Sequence, residues 1–351
     1  MGDGMRIAAV IIALNEGNAG CVRDENQNIV EGQFADPLSE KYNGNEIRAT
    51  CHSLQEHTST PLDIIVVDDE STDGGCDGLE GDGITVVRNG KRRGIARSRQ
   101  MGVDACGSDV DIVAFYDAHQ RLTPGCLDHC ATLAQQYQSI VWPDVRGFAD
   151  HGWTGHGAFG NTFRNRRKDG SYKRYDDRKR YFKSQWNNKT PRDKISRVTG
   201  LVVPGYVMPI SLFDKLRFSD FHQGWGASEP ALWVRAWACD IDILHTCGTE
   251  KQQALSRHMF RHKPNGYRLQ KHEIFRNHAI IAKSVFSEWT WENYWLPQVF
   301  DVKHLDAESR KMLNSKAFME ERERFQQFKT RPDEEFWLGY CREALPWEDS
   351  E

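Results

Sequence analysis

Three apolar segments, each followed at once by polar residues, constrain the fold of this chain most. They span residues 6–14, 63–67 and 111–116, are rich in Ile, Val and Ala, and are typical of strands buried on both faces. Helical patterns at 46–57 and after Gly94 separate them. Because strands that alternate with helices imply βαβ units, we predict an α/β fold with a mostly parallel, Rossmann-like sheet.

The polar residues that follow these segments indicate where a site lies. In parallel sheets, ligands bind at the carboxyl ends of the strands. The three predicted strand ends carry Asn15 with Glu16, Asp68 with Asp69, and Asp117 with His119. We therefore predict one ligand site that is shared by three strand ends.

Composition excludes several classes of protein. With 39% hydrophobic and 27% charged residues in 351, the chain can bury a substantial core, which argues against wholesale disorder. No apolar run approaches the roughly 20 residues of a membrane span. The nine cysteines are scattered and form no CxxC pair. We expect no membrane contact and a cytoplasmic location, in a bacterium or in the host of a virus.

Asp117-Ala118-His119 is a candidate metal site. A carboxylate and an imidazole two residues apart on an extended segment point to the same side, so both reach one cation. Mixed oxygen and nitrogen ligands favour Mn²⁺ over Mg²⁺ or Ca²⁺, with Mg²⁺ as the second candidate. The alternative is that Asp117 caps the following helix and His119 is a polar surface residue.

Two charged segments suit the parts of a nucleotide. The acidic residues at 68–73 can accept hydrogen bonds from ribose hydroxyls or base N–H groups, or simply cap the next helix. The basic residues at 91–99 flank Gly94, where a helix begins, and this arrangement favours a diphosphate. The alternative for 91–99 is a solvated basic face.

In this order the motifs resemble the GT-A glycosyltransferases. The nearest resemblance is to the polypeptide N-acetylgalactosaminyltransferases and related bacterial and viral enzymes, in which Asp-x-His replaces Asp-x-Asp. Residues 224–229 (GWGASE) are similar to their Trp-Gly-Gly-Glu motif, although Ser228 stands at the place of its glutamate. Residues 258–261 (HMFR) are similar to their Gly-His-Val-Phe-Arg element. The resemblance spans roughly residues 7–289.

The resemblance implies a role for each matching residue. Mn²⁺ would be held by Asp117, His119 and His258, with Asp117 also counted among the catalytic residues. A UDP-type sugar donor would be bound by Asn15, Glu16, Asp68, Asp69, Arg93, Gly94 and Arg97. Trp225 and Glu229 would act catalytically on the acceptor side. The implied reaction transfers the sugar to a hydroxyl with retention at the anomeric carbon.

Residues 1–300 are predicted to form the GT-A catalytic domain, followed by a helical extension at 301–351. Within the domain, 17–45 is expected to be a long loop. Residues 271–289 are expected to form one helix with Trp289 on its apolar face.

The basic segment, residues 163–194, is the acceptor-side insertion of this predicted domain. It holds 13 Lys and Arg against four Asp, a net charge of +9 in a chain of net charge −4, and interleaves them with aromatic residues. This combination is typical of nucleic-acid binding. The candidate contacts are Arg178, Lys179, Arg180 and Trp186.

Three hypotheses for function follow from this segment. The favoured one is glycosylation of a 5-hydroxymethylpyrimidine in double-stranded DNA, as in viral DNA hypermodification. An alternative is a glycan, peptide or small-molecule acceptor, with the basic segment as a solvated surface. A remote alternative is a non-catalytic nucleic-acid-binding protein.

Overall fold

The computed structural model describes residues 4–148, 154–161, 182–187, 189, 193–249, 253–259, 270–300 and 305–336. Strands and helices alternate in its first part: β1 (Ile7–Ala13), β2 (Cys21–Arg23), β3 (Ile29–Phe34), α1 (Pro37–Lys41), α2 (Glu46–His57), β4 (Leu62–Asp68), β5 (Ile84–Arg88), α3 (Ile95–Asp104), β6 (Ile112–Asp117), β7 (Gln120–Leu122), α4 (Cys126–Tyr137) and β8 (Ile140–Gly147).

The second part adds shorter strands and a helical layer: β9 (Thr154–Gly155), β10 (Ala158–Asn161), β11 (Lys183–Trp186), β12 (Ile195–Val198), β13 (Val207–Pro209), α5 (Ile210–Leu216), α6 (Ser228–Ala238), β14 (Ile243–Thr246), β15 (Leu255–His258), α7 (Lys271–Val285), α8 (Glu288–Thr290), a π-helix (Trp291–Val299), α9 (Ala307–Leu313) and α10 (Lys316–Gln326).

The central sheet has the strand order β12-β14-β8-β13-β6-β1-β4-β5. β1 pairs in parallel with both β4 and β6, and β4 with β5, whereas β13 is antiparallel to its neighbours. The α/β class with a mostly parallel sheet, predicted from the sequence, is therefore confirmed.

β1 is buried on both faces because each face packs against a different apolar layer. All seven of its side chains are at most 7% exposed. Ala8, Val10 and Ile12 join the larger core cluster, which includes α6 and α7. Ile7 and Ile11 join the other cluster, with α2 and α4. A continuous apolar run thus serves both faces through the two-residue period of a strand.

The segment after β1 corrects one prediction. Residues 17–45 are not a plain loop, since they contain the antiparallel pair β2–β3 and the short helix α1. Asp36 caps α1 by accepting a hydrogen bond from the Ser39 N–H, and Pro37 takes the first helical position. β3 is mostly exposed, so it lacks the apolar run that would have indicated a strand.

The helical layer corrects the prediction that residues 271–289 form one helix. α7 ends at Val285, and Trp289 lies beyond it in α8 with 55% of its surface exposed, so it is not on the predicted apolar face. α10 packs against α7, and its Phe318 and Phe325 are buried in the larger core cluster. Among the helices of the described residues, none is long and apolar enough to cross a membrane.

Candidate active site

The three strand ends meet at one edge of the sheet because their registers align. Ala13, the last residue of β1, pairs with Asp68 in β4, and Ile12 pairs with Asp117 in β6. The residues that follow β1, β4 and β6 therefore leave the sheet side by side. This is the site position that the sequence predicts.

A cluster of Asp117, His119 and His258 lies at this edge. β15 pairs antiparallel with β7 so that His258 stands opposite Gln120, next to the Asp-x-His turn. His258 Nε2 lies 3.0 Å from Asp117 Oδ2, and the two imidazole ring centroids are 4.9 Å apart. One ligand atom from each residue lies within 4.8 Å of the other two. The structure thus brings together three residues that span about 140 positions of sequence.

Positive charge around Asp117 keeps its carboxyl group ionised. Burial alone would raise the pKa of Asp117, but the hydrogen bond from His258, together with the charges of His119, His258 and Arg99, holds that pKa well below its usual range. An ionised carboxylate is the form that binds a cation. Asp117 is therefore ready to act as a ligand near neutral pH.

Arg99 is a site residue that sequence reasoning missed. Its guanidinium is 1% exposed and lies 3.5 Å from Asp117 Oδ1 and 2.6 Å from Glu229 Oε1. Arg99 also donates to the Tyr206 hydroxyl at 3.1 Å. It links the cluster of Asp117, His119 and His258 to the Glu229 motif. No motif singles it out, because it is one of five basic residues in 91–99.

Glu16 lies beside this candidate cluster. Its Oε2 is 3.4 Å from His119 Nδ1, and the side chain is buried. At this distance the carboxylate is close enough to attract a positively charged His119. The resemblance assigns Glu16 to the sugar donor, and in the structure it also lies beside a predicted metal ligand.

Asp69 and the start of α3 are bonded to one another. Asp69 is fully buried, and its two oxygens accept hydrogen bonds from the backbone N–H groups of Arg93 (2.7 Å) and Gly94 (2.9 Å). Asn89 Nδ2 donates to it at 2.8 Å. The backbone N–H groups that we expected at a diphosphate thus already bind a carboxylate. The geometry supports a positioning role for Asp69.

Asp68 and Asn15 order the loop that follows β4. Asp68 accepts hydrogen bonds from the Ser71 N–H at 2.8 Å and from Arg88 Nη1 at 2.9 Å. Asn15 accepts one from the Thr72 N–H at 2.8 Å. These hydrogen bonds fasten the acidic loop to the end of β1.

The motif at 224–229 packs directly on the start of α3. Gly94 has φ +88°, and a Cβ at this position would lie 2.2 Å from the Gly224 carbonyl oxygen, so only glycine fits. The Ile95 N–H donates to that carbonyl at 3.1 Å. Arg97 forms an ion pair with Asp220. Trp225, partly buried, and Glu229 thus lie next to the predicted diphosphate-binding residues.

Most of the basic segment lies outside the described residues, including Arg178, Lys179 and Arg180. The antiparallel strands β10 and β11 lie on either side of its central part. Trp186, at the end of β11, stacks on the buried Trp142 with 5.3 Å between ring centroids. Trp186 is partly buried and packs against the larger core cluster.

Comparison with known proteins decides the family. The family model described as "Glycosyl transferase family 2" matches residues 41–216, which include β4, α3 and the Asp-x-His turn. The chain belongs to glycosyl transferase family 2. Family membership and the mostly parallel sheet agree with the resemblance found in the sequence.

A solved structure of GalNAc-T7 supports the GT-A fold for this family 2 member. A structure of GalNAc-T7 with UDP, GalNAc and Mn²⁺ superposes with a TM-score of 0.63 at 13% identity, and it covers 97% of this chain. The chain corresponds to 57% of the GalNAc-T7 chain. S. aureus TarS in complex with UDP-GlcNAc gives a TM-score of 0.46 at 14% identity, with 92% of this chain and 79% of the TarS chain covered. A search of curated protein sequences finds no match.

Proposed function

We propose that this family 2 protein transfers a sugar from a nucleoside diphosphate sugar, of the UDP type, to a hydroxyl acceptor. The observation that carries the proposal is the convergence of Asp117, His119 and His258 at the sheet edge, with 3.0 Å between His258 and Asp117. The support from comparison is that GalNAc-T7, which shares the fold, was solved with UDP, GalNAc and Mn²⁺.

The donor atoms of the cluster fit a divalent cation of the Mn²⁺ type. One carboxylate and two imidazoles form a mixed oxygen and nitrogen set, and their ligand atoms lie within 4.8 Å of one another. When bound, Mn²⁺ would stabilise the negative charge that develops on the departing diphosphate. Three protein ligands leave coordination positions for phosphate oxygens.

Residues around the cluster hold the site in shape. Arg99 keeps Asp117 and Glu229 on either side of one buried guanidinium, so the cation side and the acceptor side are fixed relative to each other. Glu16 pairs with His119. Trp225 and Glu229 form the acceptor side, and Glu229 acts there through its pairing with Arg99.

The donor lies, in this proposal, along the ends of β1 and β4. Asn15 and Asp68 form the edge that receives the nucleoside, while Arg93, which is exposed, and Arg97 face the diphosphate. Arg97 would exchange its ion pair with Asp220 for the phosphate. The acceptor oxygen would form its bond to the anomeric carbon on the face from which the diphosphate leaves, and the hydroxyl proton would pass to the departing phosphate oxygen, so we propose retention at that carbon.

The acceptor that we favour is a 5-hydroxymethylpyrimidine in double-stranded DNA. The basic segment, with its net charge of +9, suits a phosphate backbone, and its central part lies between β10 and β11. A base must leave the stack before its hydroxymethyl group reaches an active site. We expect Arg178, Lys179 and Arg180 to contact phosphates and Trp186 to contact a base.

A matrix of donors and acceptors tests both parts of the proposal. The full chain is incubated with UDP- and GDP-sugars and Mn²⁺, with unmodified DNA, hydroxymethylated DNA, a peptide or free glycans. Sugar transfer that requires hydroxymethylated DNA and is lost at high salt supports the DNA acceptor. Sugar transfer to peptide or glycan that does not change when the charges of residues 178–180 are neutralised would favour that acceptor over DNA. DNA binding without turnover of any donor would refute glycosyl transfer.

A further inference from the structure

A second cluster of one carboxylate and two imidazoles lies outside the candidate active site. It consists of Asp144 in β8, His245 in β14 and His156 in the turn between β9 and β10. Asp144 Oδ1 lies 2.8 Å from His156 Nδ1 and 2.7 Å from His245 Nε2. The three ligand atoms lie within 4.8 Å of one another.

The hydrogen bonds of this cluster leave one polar atom unsatisfied. An ionised carboxylate only accepts, so both imidazoles must donate a proton to the same Asp144 oxygen. His245 Nδ1 is buried and finds no hydrogen-bond partner among the described residues. A cation could bind the same three atoms if each imidazole carried its proton on its other ring nitrogen, so that His156 Nδ1 and His245 Nε2 present lone pairs.

The second cluster is separate from Asp117, His119 and His258. In the parallel pairing of β8 and β15, Asp144 stands opposite Leu255, and Gly147 stands opposite His258. Asp144 is thus three residues away along the strand, about 10 Å at the usual rise. Residues three apart on a strand point to opposite faces. One cation cannot serve both clusters.

We propose that Asp144, His156 and His245 form a second divalent-cation site, with Zn²⁺ as the best-fitting ion. Two imidazoles and one carboxylate are Zn²⁺ ligands, with ligand atoms about 2.0–2.2 Å from the metal and therefore roughly 3.3 Å apart in a tetrahedral arrangement. The oxygen–nitrogen distances of 2.7 and 2.8 Å need to widen by only about half an ångström.

The position of the site gives a bound cation a structural role. The backbone N–H of His156 donates to the Asn187 carbonyl at 2.8 Å, and the Asn187 N–H donates to the Gly157 carbonyl at 2.9 Å, at the base of the β10–β11 pair. A Cβ on Gly157 would lie 3.1 Å from the His245 Cβ, so the turn is pressed against β14. A cation held here ties the base of β10–β11, which flanks the basic segment, to the central sheet.

The test measures Zn²⁺ bound per chain in full-length protein, first stripped with a chelator and then dialysed against Zn²⁺. A background variant carrying Asp117→Asn and His119→Gln disables the first cluster. His156→Gln is added to this background, because His156 is the least buried member of the second cluster. His129→Gln is the matched control, since His129 contacts the adjacent Thr246 (3.1 Å) but lies outside the cluster.

We expect one Zn²⁺ per chain in the background variant, one with His129→Gln, and none with His156→Gln. Asp144→Asn, which keeps the side-chain shape, must also lose the ion, and this guards against misfolding of any one variant. Bound Co²⁺ should show visible absorption that the same two substitutions abolish. A background variant that binds no Zn²⁺, or an unchanged content with His156→Gln, overturns the site. Neither result depends on glycosyl transfer, so failure here leaves the proposed function standing.

Discussion

Two clusters in this molecule contain the same three residue types in different electrostatic surroundings. Asp117, His119 and His258 lie at a strand end, where Glu16 pairs with His119 and the buried Arg99 pairs with both Asp117 and Glu229. Asp144, His156 and His245 lie at the base of a strand pair, where Asp144 and His245 are buried and the hydrogen bonds stay within the cluster. Ligand type is shared, while charge and access differ.

This difference teaches that the ligand set alone does not decide what a cation does. At the strand end, the cation would face a partly open edge where a diphosphate can complete its coordination. In the second cluster the cation would be enclosed by elements that it joins, as in a structural site. Substitutions in each cluster separate the two roles.

Asp117→Asn should have the largest effect on activity. The amide removes the negative ligand of the proposed cation, and stabilisation of a departing diphosphate is worth several kcal/mol, which corresponds to roughly a thousandfold or more in rate. The measurement is hydrolysis of a UDP-sugar with Mn²⁺. Asp144→Asn is the comparison and should retain most of this hydrolysis. Equal losses in both variants would contradict the division of roles.

Arg99→Met should have the largest effect on stability. The substitution removes the guanidinium that the carboxylates of Asp117 and Glu229 share, and breaking a buried ion pair costs about 3–5 kcal/mol in the free energy of unfolding. Urea denaturation measures it. Arg197→Met removes an ion pair to Asp242 that is mostly exposed and should cost less than about 1 kcal/mol. Similar decreases in the free energy of unfolding in both variants would show that the buried ion pairs of Arg99 stabilise the fold no more than an exposed one does.

The fold could be predicted largely from one physical pattern. β1, β4 and β6 are apolar runs that serve two buried faces, and they appear where the sequence predicts them. β3 was missed because its residues are mostly exposed and carry no apolar period. The end of α7 was missed because the apolar positions continue past Val285 into α8 and the π-helix. The spacing of apolar residues reflects burial. It therefore does not predict a strand that is mostly exposed, nor the residue at which a buried helix ends and another begins.

The site could be predicted only where its residues are neighbours in sequence. Asp117 and His119 follow one strand and could be paired from their spacing, and resemblance supplied His258. Arg99 reaches Asp117 only through the packing of α3, and Asp144 meets His245 only through the register of β8 and β14. Both contacts depend on the tertiary structure. A sequence read alone therefore predicts the strand-end ligands and misses the residues that connect elements.

His156→Gln should lower stability by a smaller amount. In metal-free protein it removes a hydrogen bond to a buried carboxylate, and such bonds are worth about 1.5–3 kcal/mol. Saturating Zn²⁺ should increase the difference in the free energy of unfolding between wild type and variant. A ligand at 100 times its Kd raises the free energy of unfolding of the protein that binds it by about 2.7 kcal/mol. Chemical denaturation with a chelator measures the effect of the hydrogen bond, and denaturation with Zn²⁺ measures the added effect of the cation. If Zn²⁺ does not change the difference in stability between wild type and variant, the second cluster is hydrogen-bonded but does not bind the cation.

The smallest effect concerns His222, a buried histidine with arginines rather than a carboxylate around it. Burial, with the charges of Arg235 and Arg276, lowers the pKa of His222 from 6.5 to about 3. The unfolded chain therefore binds more protons than the folded chain between those values, and the free energy of unfolding falls as the pH drops below about 6.5. From pH 7 to 5.5 this one group should account for a loss of about 1 kcal/mol. His222→Leu should remove that part of the slope when urea denaturation is repeated at each pH. Parallel slopes for wild type and variant would show that burial without a carboxylate does not keep this histidine neutral, and the contrast with the two carboxylate-paired clusters would fail.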